Sequence, residues 1–376
     1  MSRIRLASLL AGAFLALPAV VCAQEGPRKE GSETVARPRK KAAEAEKEAE
    51  KIPSRLSKKD RPPLPDGVPT FRTDVNTVSV EVSVLDNKGR FIPGIPRANF
   101  RVLEDGVPQQ ITNFGLGEAP MTVCMVIEFS NLFQSYWTET WYQTLTAAYG
   151  FLETLRPEDY VAVVAYDLRP EILSDFSTDK RAAYEAMQRL RFAAYSESNL
   201  FDALTDTADR MKDIEGRKAI VLISSGVDTF SKITFDKARK ILQEAAVPVY
   251  AIGLMQALRD YYDAHGALSS IARMDFLQAD NQMRTFARET GGMSFFPRFY
   301  GEFPGIFRAI ADSLRNQYSL TYQPTNQARD GKFRRIKVEL VNPATNEPLR
   351  IVDEKKKPIK YTIIAKAGYT APREVE

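Results

Sequence analysis

Histidine and cysteine are nearly absent from this 376-residue sequence, which has one histidine, His265, and two cysteines, Cys22 and Cys124. Cys22 lies in an N-terminal apolar stretch that reads as a leader, so Cys124 is left alone inside a second apolar run. A lone buried thiol forms no internal disulfide and serves as core filler rather than nucleophile, so core packing must hold the chain together. His265 sits in Asp263-Ala264-His265-Gly266 with no Ser or Cys nucleophile motif beside it, the pattern of a solvated loop residue. G-x-x-x-x-G-K, H-E-x-x-H, C-x-x-C and G-x-S-x-G are all missing, and Gly291-Gly292 reads as a helix stop rather than a phosphate loop. Glu128 and Asp228 make a poor hydrolytic pair, because no sugar-stacking aromatics are arranged around them. The expectation is a protein that is not an enzyme.

An excess of either charge is also lacking. The chain carries 52 Lys and Arg against 48 Asp and Glu, a net charge of +4. Loss of a leader containing Arg3 and Arg5 lowers this to about +2, which provides no basic field for nucleic acid. Beyond the leader no run of eighteen or so apolar residues occurs, so no transmembrane segment is expected. Hydrophobic residues at 44% and charged residues at 27% suit an ordinary globular protein.

Arg3 and Arg5 precede the apolar residues 6–21, and Val21-Cys22-Ala23 closes that stretch. Residues 1–23 therefore read as a secretory signal peptide cut after Ala23. Acylation of Cys22 is the weaker reading, since Val20 and Val21 put bulky residues before it. Residues 24–67 are Lys, Arg, Glu, Ala and Pro with almost no large apolar side chains, too little to offset ordering entropy, and read as a disordered charged tether. The protein is expected to be exported, to the periplasm, the cell surface or the medium.

Residues 68–117 change to period two. Val78, Val80, Val82 and Val84 alternate with polar residues as in a half-buried strand; residues 100–104 make another strand, ended by Asp105-Gly106, and residues 107–114 complete a hairpin. Residues 123–127 are apolar and rich in β-branched side chains, as in a strand buried on both faces of a parallel sheet. Further strands are expected at 160–166, 218–224, 247–254 and 293–296. Helices are expected at 133–152, 179–190, 200–211, 235–245, 281–290 and 306–317, with an insertion containing some helix over 256–280. Strands alternating with helices across residues 118–317 predict an α/β fold with a doubly wound, mostly parallel sheet. Residues 318–372 return to β, before a short tail at 373–376. They are expected to pack with the N-terminal strands as a β-sandwich-like module framing the α/β domain.

At the carboxyl end of the organising strand stands Glu128-Phe129-Ser130-Asn131-Leu132. With Ser196-Glu197-Ser198-Asn199-Leu200-Phe201, Ala219 to Thr229 (A-I-V-L-I-S-S-G-V-D-T) and the F-A-R-E-T-G-G-M-S-F of 286–295, this order of motifs resembles a von Willebrand factor type A domain. The closer resemblance is to the secreted VWFA-related family described from acidobacteria. It implies a divalent-cation site, for Mg²⁺ or Mn²⁺, built from three loops as D-x-S-x-S, a Thr and an Asp. Mapped onto this sequence, those positions are Glu128, Ser130, Leu132, Ser198 and Ser225, and only Ser130 is unchanged. Leu132 has no lone pair to give, and Ser225 removes a charge. Such a degenerate site is expected to bind no cofactor, with Asp228 a solvated turn residue.

The resemblance thus implies a non-enzymatic protein-interaction module of adhesion or scaffold type. Its protein partner would be bound at the top face by Glu128, Phe129, Ser130, Leu132, Tyr136, Ser198, Asn199, Ser225 and Asp228. A metal-dependent adhesin with a variant site, or an envelope-associated structural scaffold, stands as the alternative. Oligomeric state is left open.

Overall fold

The computed structural model describes residues 77–116, 120–130, 145, 148–190, 195–214, 216–266, 269–352 and 356–373. The expected leader, the tether, Leu132, Phe133, Tyr136, Trp137 and Trp141 lie outside them.

The chain opens with antiparallel strands β1 (Val78–Asp86), β2 (Phe100–Glu104), β3 (Val107–Gln109) and β4 (Ile111–Leu116). The turn joining β2 to β3 places Asp105 at φ 47° and Gly106 at φ 86°, a backbone that an Asp-Gly pair adopts at low cost. Strand β3 pairs with β2, but β4 pairs elsewhere, so the expected single hairpin over 107–114 is split between two sheets at Gln110.

The α/β region follows. It runs β5 (Met121–Glu128), β6 (Tyr160–Tyr166), β7 (Pro170–Ser177), α1 (Lys180–Gln188), α2 (Leu200–Met211), β8 (Arg217–Ser224), α3 (Phe235–Ala245), β9 (Val249–Gly253), α4 (Gln256–Ala264), α5 (Ser270–Thr290), β10 (Ser294–Phe295) and α6 (Phe303–Arg315). Among the described residues the strands form a six-stranded sheet ordered β10-β9-β8-β5-β6-β7, parallel except for the edge strand β7. The fold class is therefore mixed α/β about a mostly parallel sheet. All eight residues of β5 are buried, as its apolar run demands for a strand covered on both faces. Met125 and Ile127 join the core shared with α6, whereas Cys124 and Val126 join the core under α2 and α3.

Two differences from the sequence reading stand out. Residues 170–177 form an antiparallel edge strand that was not expected. The supposed insertion is helical throughout most of its length, and α5 is one helix of 21 residues that absorbs the expected 281–290 segment. No glycine or proline occurs between 270 and 290 to stop it.

The chain ends in β11 (Tyr318–Tyr322), β12 (Phe333–Leu340), β13 (Ile351–Val352), β14 (Pro358–Ile359), β15 (Tyr361–Ala365) and β16 (Gly368–Thr370). These strands return to the N-terminal ones. Strand β1 pairs with β11 and β15, with Val80 opposite Leu320, while β12 pairs with β2, with Val338 opposite Val102. The two resulting four-stranded sheets, β15-β1-β11-β4 and β16-β12-β2-β3, enclose a common core containing Val80, Val102, Leu320 and Val338. The alternation of β1 holds for its valines, but Ser83 on the other face is also buried. Its hydroxyl lies 3.3 Å from that of Ser313 on α6, where the sandwich rests on the α/β region. Among the described residues no helix is long and apolar enough to cross a membrane.

Candidate functional site

Strands β5, β6 and β8 run parallel and end level, with Glu128 opposite Tyr166 and Ile127 opposite Ile223. The residues that finish them, Glu128, Tyr166 and Ser224, thus meet at the carboxyl edge of the sheet, where open α/β folds present their binding loops. All three are buried.

Glu128 is the centre of the cluster. Its carboxylate accepts the Ser130 hydroxyl at 3.0 Å, the Ser224 hydroxyl at 2.9 Å, the Ser225 amide at 2.7 Å and the Ser225 hydroxyl at 2.8 Å. Tyr166 donates to Ser224 Oγ at 2.8 Å, so a chain of hydroxyls leads into the acid. Burial pushes the Glu128 carboxyl above its ordinary range, and the donations from Ser225, Ser224 and Ser130 oppose that rise. The Tyr166 hydroxyl is held well above its usual range by burial first and by the Glu128 charge second.

The second loop is tied to the third. The Ser198 amide donates to the Thr229 hydroxyl oxygen at 2.9 Å, and the Ser198 carbonyl accepts the Thr229 and Phe230 amides at 2.8 and 3.0 Å. Asn199 donates from its side chain to the Leu168 carbonyl at 2.8 Å and precedes α2. Ser198 Oγ and Asn199 Oδ1 are buried without a hydrogen-bond partner among the described residues. The Ser198 hydroxyl nonetheless lies near enough to Tyr166 to oppose the rise of the phenol.

Asp228 stands apart from the acid cluster. Its carboxylate accepts the Phe201 amide at 3.2 Å and the Ser231 hydroxyl, fixing the third loop against the start of α2, where the helix dipole favours a negative charge. Gly226 takes φ 79°, and a Cβ there would lie 2.9 Å from the Ala279 carbonyl oxygen. Helix α5 therefore braces the turn that carries Ser225. Phe129 is half-buried and packs against the core shared with α6, so it turns inward rather than out to a partner.

The structure brings Glu128, Ser130, Ser198 and Ser225 to one edge of the sheet, with Phe129 and Asn199 next to them in the chain. Tyr166 and Ser224 were missed, although the strand ends alone place them next to Glu128. Tyr195 and Phe230, which bound the recognition loops expected from the sequence at 195–199 and 225–230, stand 51% and 57% exposed on the loops joined through Ser198. Exposed aromatics on a braced loop are a stronger binding signal than aromatics following a strand.

As a cation site the set is short of charge. Glu128 is its one carboxylate, and both of its oxygens already accept hydrogen bonds. Ser225 stands where a type A cation site carries Asp. Among the described residues no group of three or more His, Cys, Asp or Glu could hold a metal ion. A hard dication prefers several oxygens with more uncompensated negative charge than this, so the donor set fits one poorly.

Residues 125–227 match the family model of the von Willebrand factor type A domain. No curated protein matches the chain. Among solved structures, it is similar to a von Willebrand factor type A protein from Catenulispora acidiphila, at 11% identity over 80% of this chain and 76% of that one, with a TM-score of 0.42. It is similar also to the vWF domain of the type V pili tip protein Mfa5 from Porphyromonas gingivalis, at 14% identity over 52% of this chain and 95% of that one, with a TM-score of 0.39. Proximal thread matrix protein 1 from the mussel byssus is 11% identical over 52% of this chain, with a TM-score of 0.41, and the chain spans 48% of its length. The matched residues run from the second half of β5 to the turn after β8 and include Glu128, Tyr166, Ser224 and Ser225.

Proposed function

We propose that the type A region is a protein-docking module without catalytic chemistry, in which hydrogen bonds to Glu128 replace a bound cation. The observation that carries this reading is the Glu128 carboxylate itself. Four donors at 2.7–3.0 Å bind the ends of β5 and β8 together and use the lone pairs that a metal would need. What such a platform offers a partner is its rim, where Tyr195 and Phe230 stand exposed on loops joined by the Ser198–Phe230 bond. Aromatics held on rigid loops supply contact area at low entropy cost. Neither a nucleophile–base pair nor a carboxylate pair accompanies them among the described residues. The resemblance to the secreted VWFA-related family, with the leader-like residues 1–23, supports an exported protein that works in the envelope or beyond it.

One observation favours the runner-up, a cation-dependent adhesin: Ser198 Oγ and Asn199 Oδ1 are buried oxygens without hydrogen-bond partners among the described residues. Both are neutral oxygens, so they would leave Glu128 as the one carboxylate of the set.

The docking reading is tested with a photo-crosslinking amino acid placed at Tyr195 in living cells. A discrete adduct that disappears in Phe230→Ala, and that the same probe at Tyr184 does not form, is the expected result. Adducts indifferent to Phe230→Ala, or equal at both positions, contradict it.

A further inference from the structure

At the opposite end of the sheet, where β8 begins, a cleft of about 640 Å³ separates the sandwich from the α/β region. Arg217, Lys218 and Lys366 line it, with Glu81 from β1 facing them. The strand carrying Arg217 rises roughly 3.3 Å per residue, which puts this cleft on the order of 20 Å from Glu128.

Arg217 is held in an unusual way. Its Nη1 donates to the Arg315 carbonyl at 3.0 Å, which fixes the plane of the guanidinium. Its Nε and Nη2 are both buried and have no hydrogen-bond partner among the described residues. Those two groups form one edge of the guanidinium, the edge that meets two oxygens of a carboxylate or phosphate side by side. On the facing wall, Ser319 donates to Glu81 Oε1 at 2.8 Å, while Glu81 Oε2 is buried and has no hydrogen-bond partner among the described residues. Glu81 and Arg217 thus oppose each other across the cleft without forming an ion pair, Glu81 with Oε2 and Arg217 with Nε and Nη2 unused among the described residues.

Leaving buried charged donors unmet is costly, and folded proteins seldom do it without a role. The charge balance gives the role its sign. Three cations face one carboxylate, and burial lowers the Lys366 ammonium to about 8 and lowers Lys218 as well. A bound anion would offset that desolvation.

We propose that this cleft is an oxyanion site. It would take the paired terminal oxygens of a carboxylate or phosphate group on the Nε–Nη2 edge of Arg217, with Lys366 neutralising the remaining charge and Glu81 accepting a donor from the ligand. The site is independent of the docking platform and stands whether or not that platform binds a protein.

Calorimetric titration of the full chain with inorganic phosphate and, separately, with citrate tests it, each against sodium chloride at matched ionic strength. Saturable binding of at least one of the two is expected, and which one binds identifies the source of the oxyanion. Arg217→Lys keeps the charge but loses the fork, and is expected to weaken binding tenfold or more. Lys366→Met probes the mouth of the cleft and is expected to weaken it severalfold. Far-ultraviolet circular dichroism identifies a variant that fails to fold; the other variant then decides. Heats that track ionic strength alone, or binding unchanged in the folded variants, overturn the proposal.

Discussion

Glu128 carries the strain of the site as a single residue. It is fully buried, and its folded carboxyl is raised above its ordinary value of 4.5. A raised acid binds its proton more tightly in the folded state than in the unfolded one. The contribution of Glu128 to stability should therefore be greatest below pH 4.5, fall as the pH rises toward the folded pKa, and level off beyond it. Glu128→Gln should flatten that slope in denaturant melts taken across the range, because nothing at the position then ionises. Glu128→Ala strands the Ser130, Ser224 and Ser225 donors, and should cost about 3 kcal/mol at neutral pH by the same melts. The sequence showed Glu128, Ser130, Ser198 and Ser225 through the motif resemblance. It did not show that the hydroxyls would turn toward the acid, since that depends on strand register rather than on spacing.

At the scale of elements, the legible features were those with a strong period. Strand β5 announces itself by an unbroken apolar run, and α2 and α3 by spacings of three and four. Strand β7 was not legible, because Pro170, Glu171 and Asp175 break any alternation and an edge strand needs only one partner. Helix α5 was misjudged for the opposite reason: Met274 and Leu277 in its first half are apolar yet exposed, which blurs the helical stripe, and the buried stripe becomes clear only at Ala279, Met283, Phe286 and Ala287. The pairing of β1 with β11 was inferred from the return of period two after residue 318. It joins segments more than two hundred residues apart, so it should be vulnerable to core loss. Leu320→Ala, at a fully buried position facing the sandwich core, should cost about 2–5 kcal/mol in a denaturant melt. A loss under 1 kcal/mol would mean that the sandwich core contributes little.

For the whole molecule, the two ends of the parallel sheet divide the work. The carboxyl end is sealed by hydrogen bonds around Glu128 and presents aromatics on its rim. The amino end faces the sandwich across a cationic cleft. The charge that decides whether a cation belongs at the carboxyl end is a property of the assembled loops, not of one residue, because Ser225 comes from β8 and Ser198 from the approach to α2. The measurement that bears most directly on this account is calorimetric titration of the intact protein with Mg²⁺ and with Mn²⁺. No saturable heat is predicted for either ion. Saturable binding that Glu128→Ala abolishes would contradict the account and make the site a working cation centre.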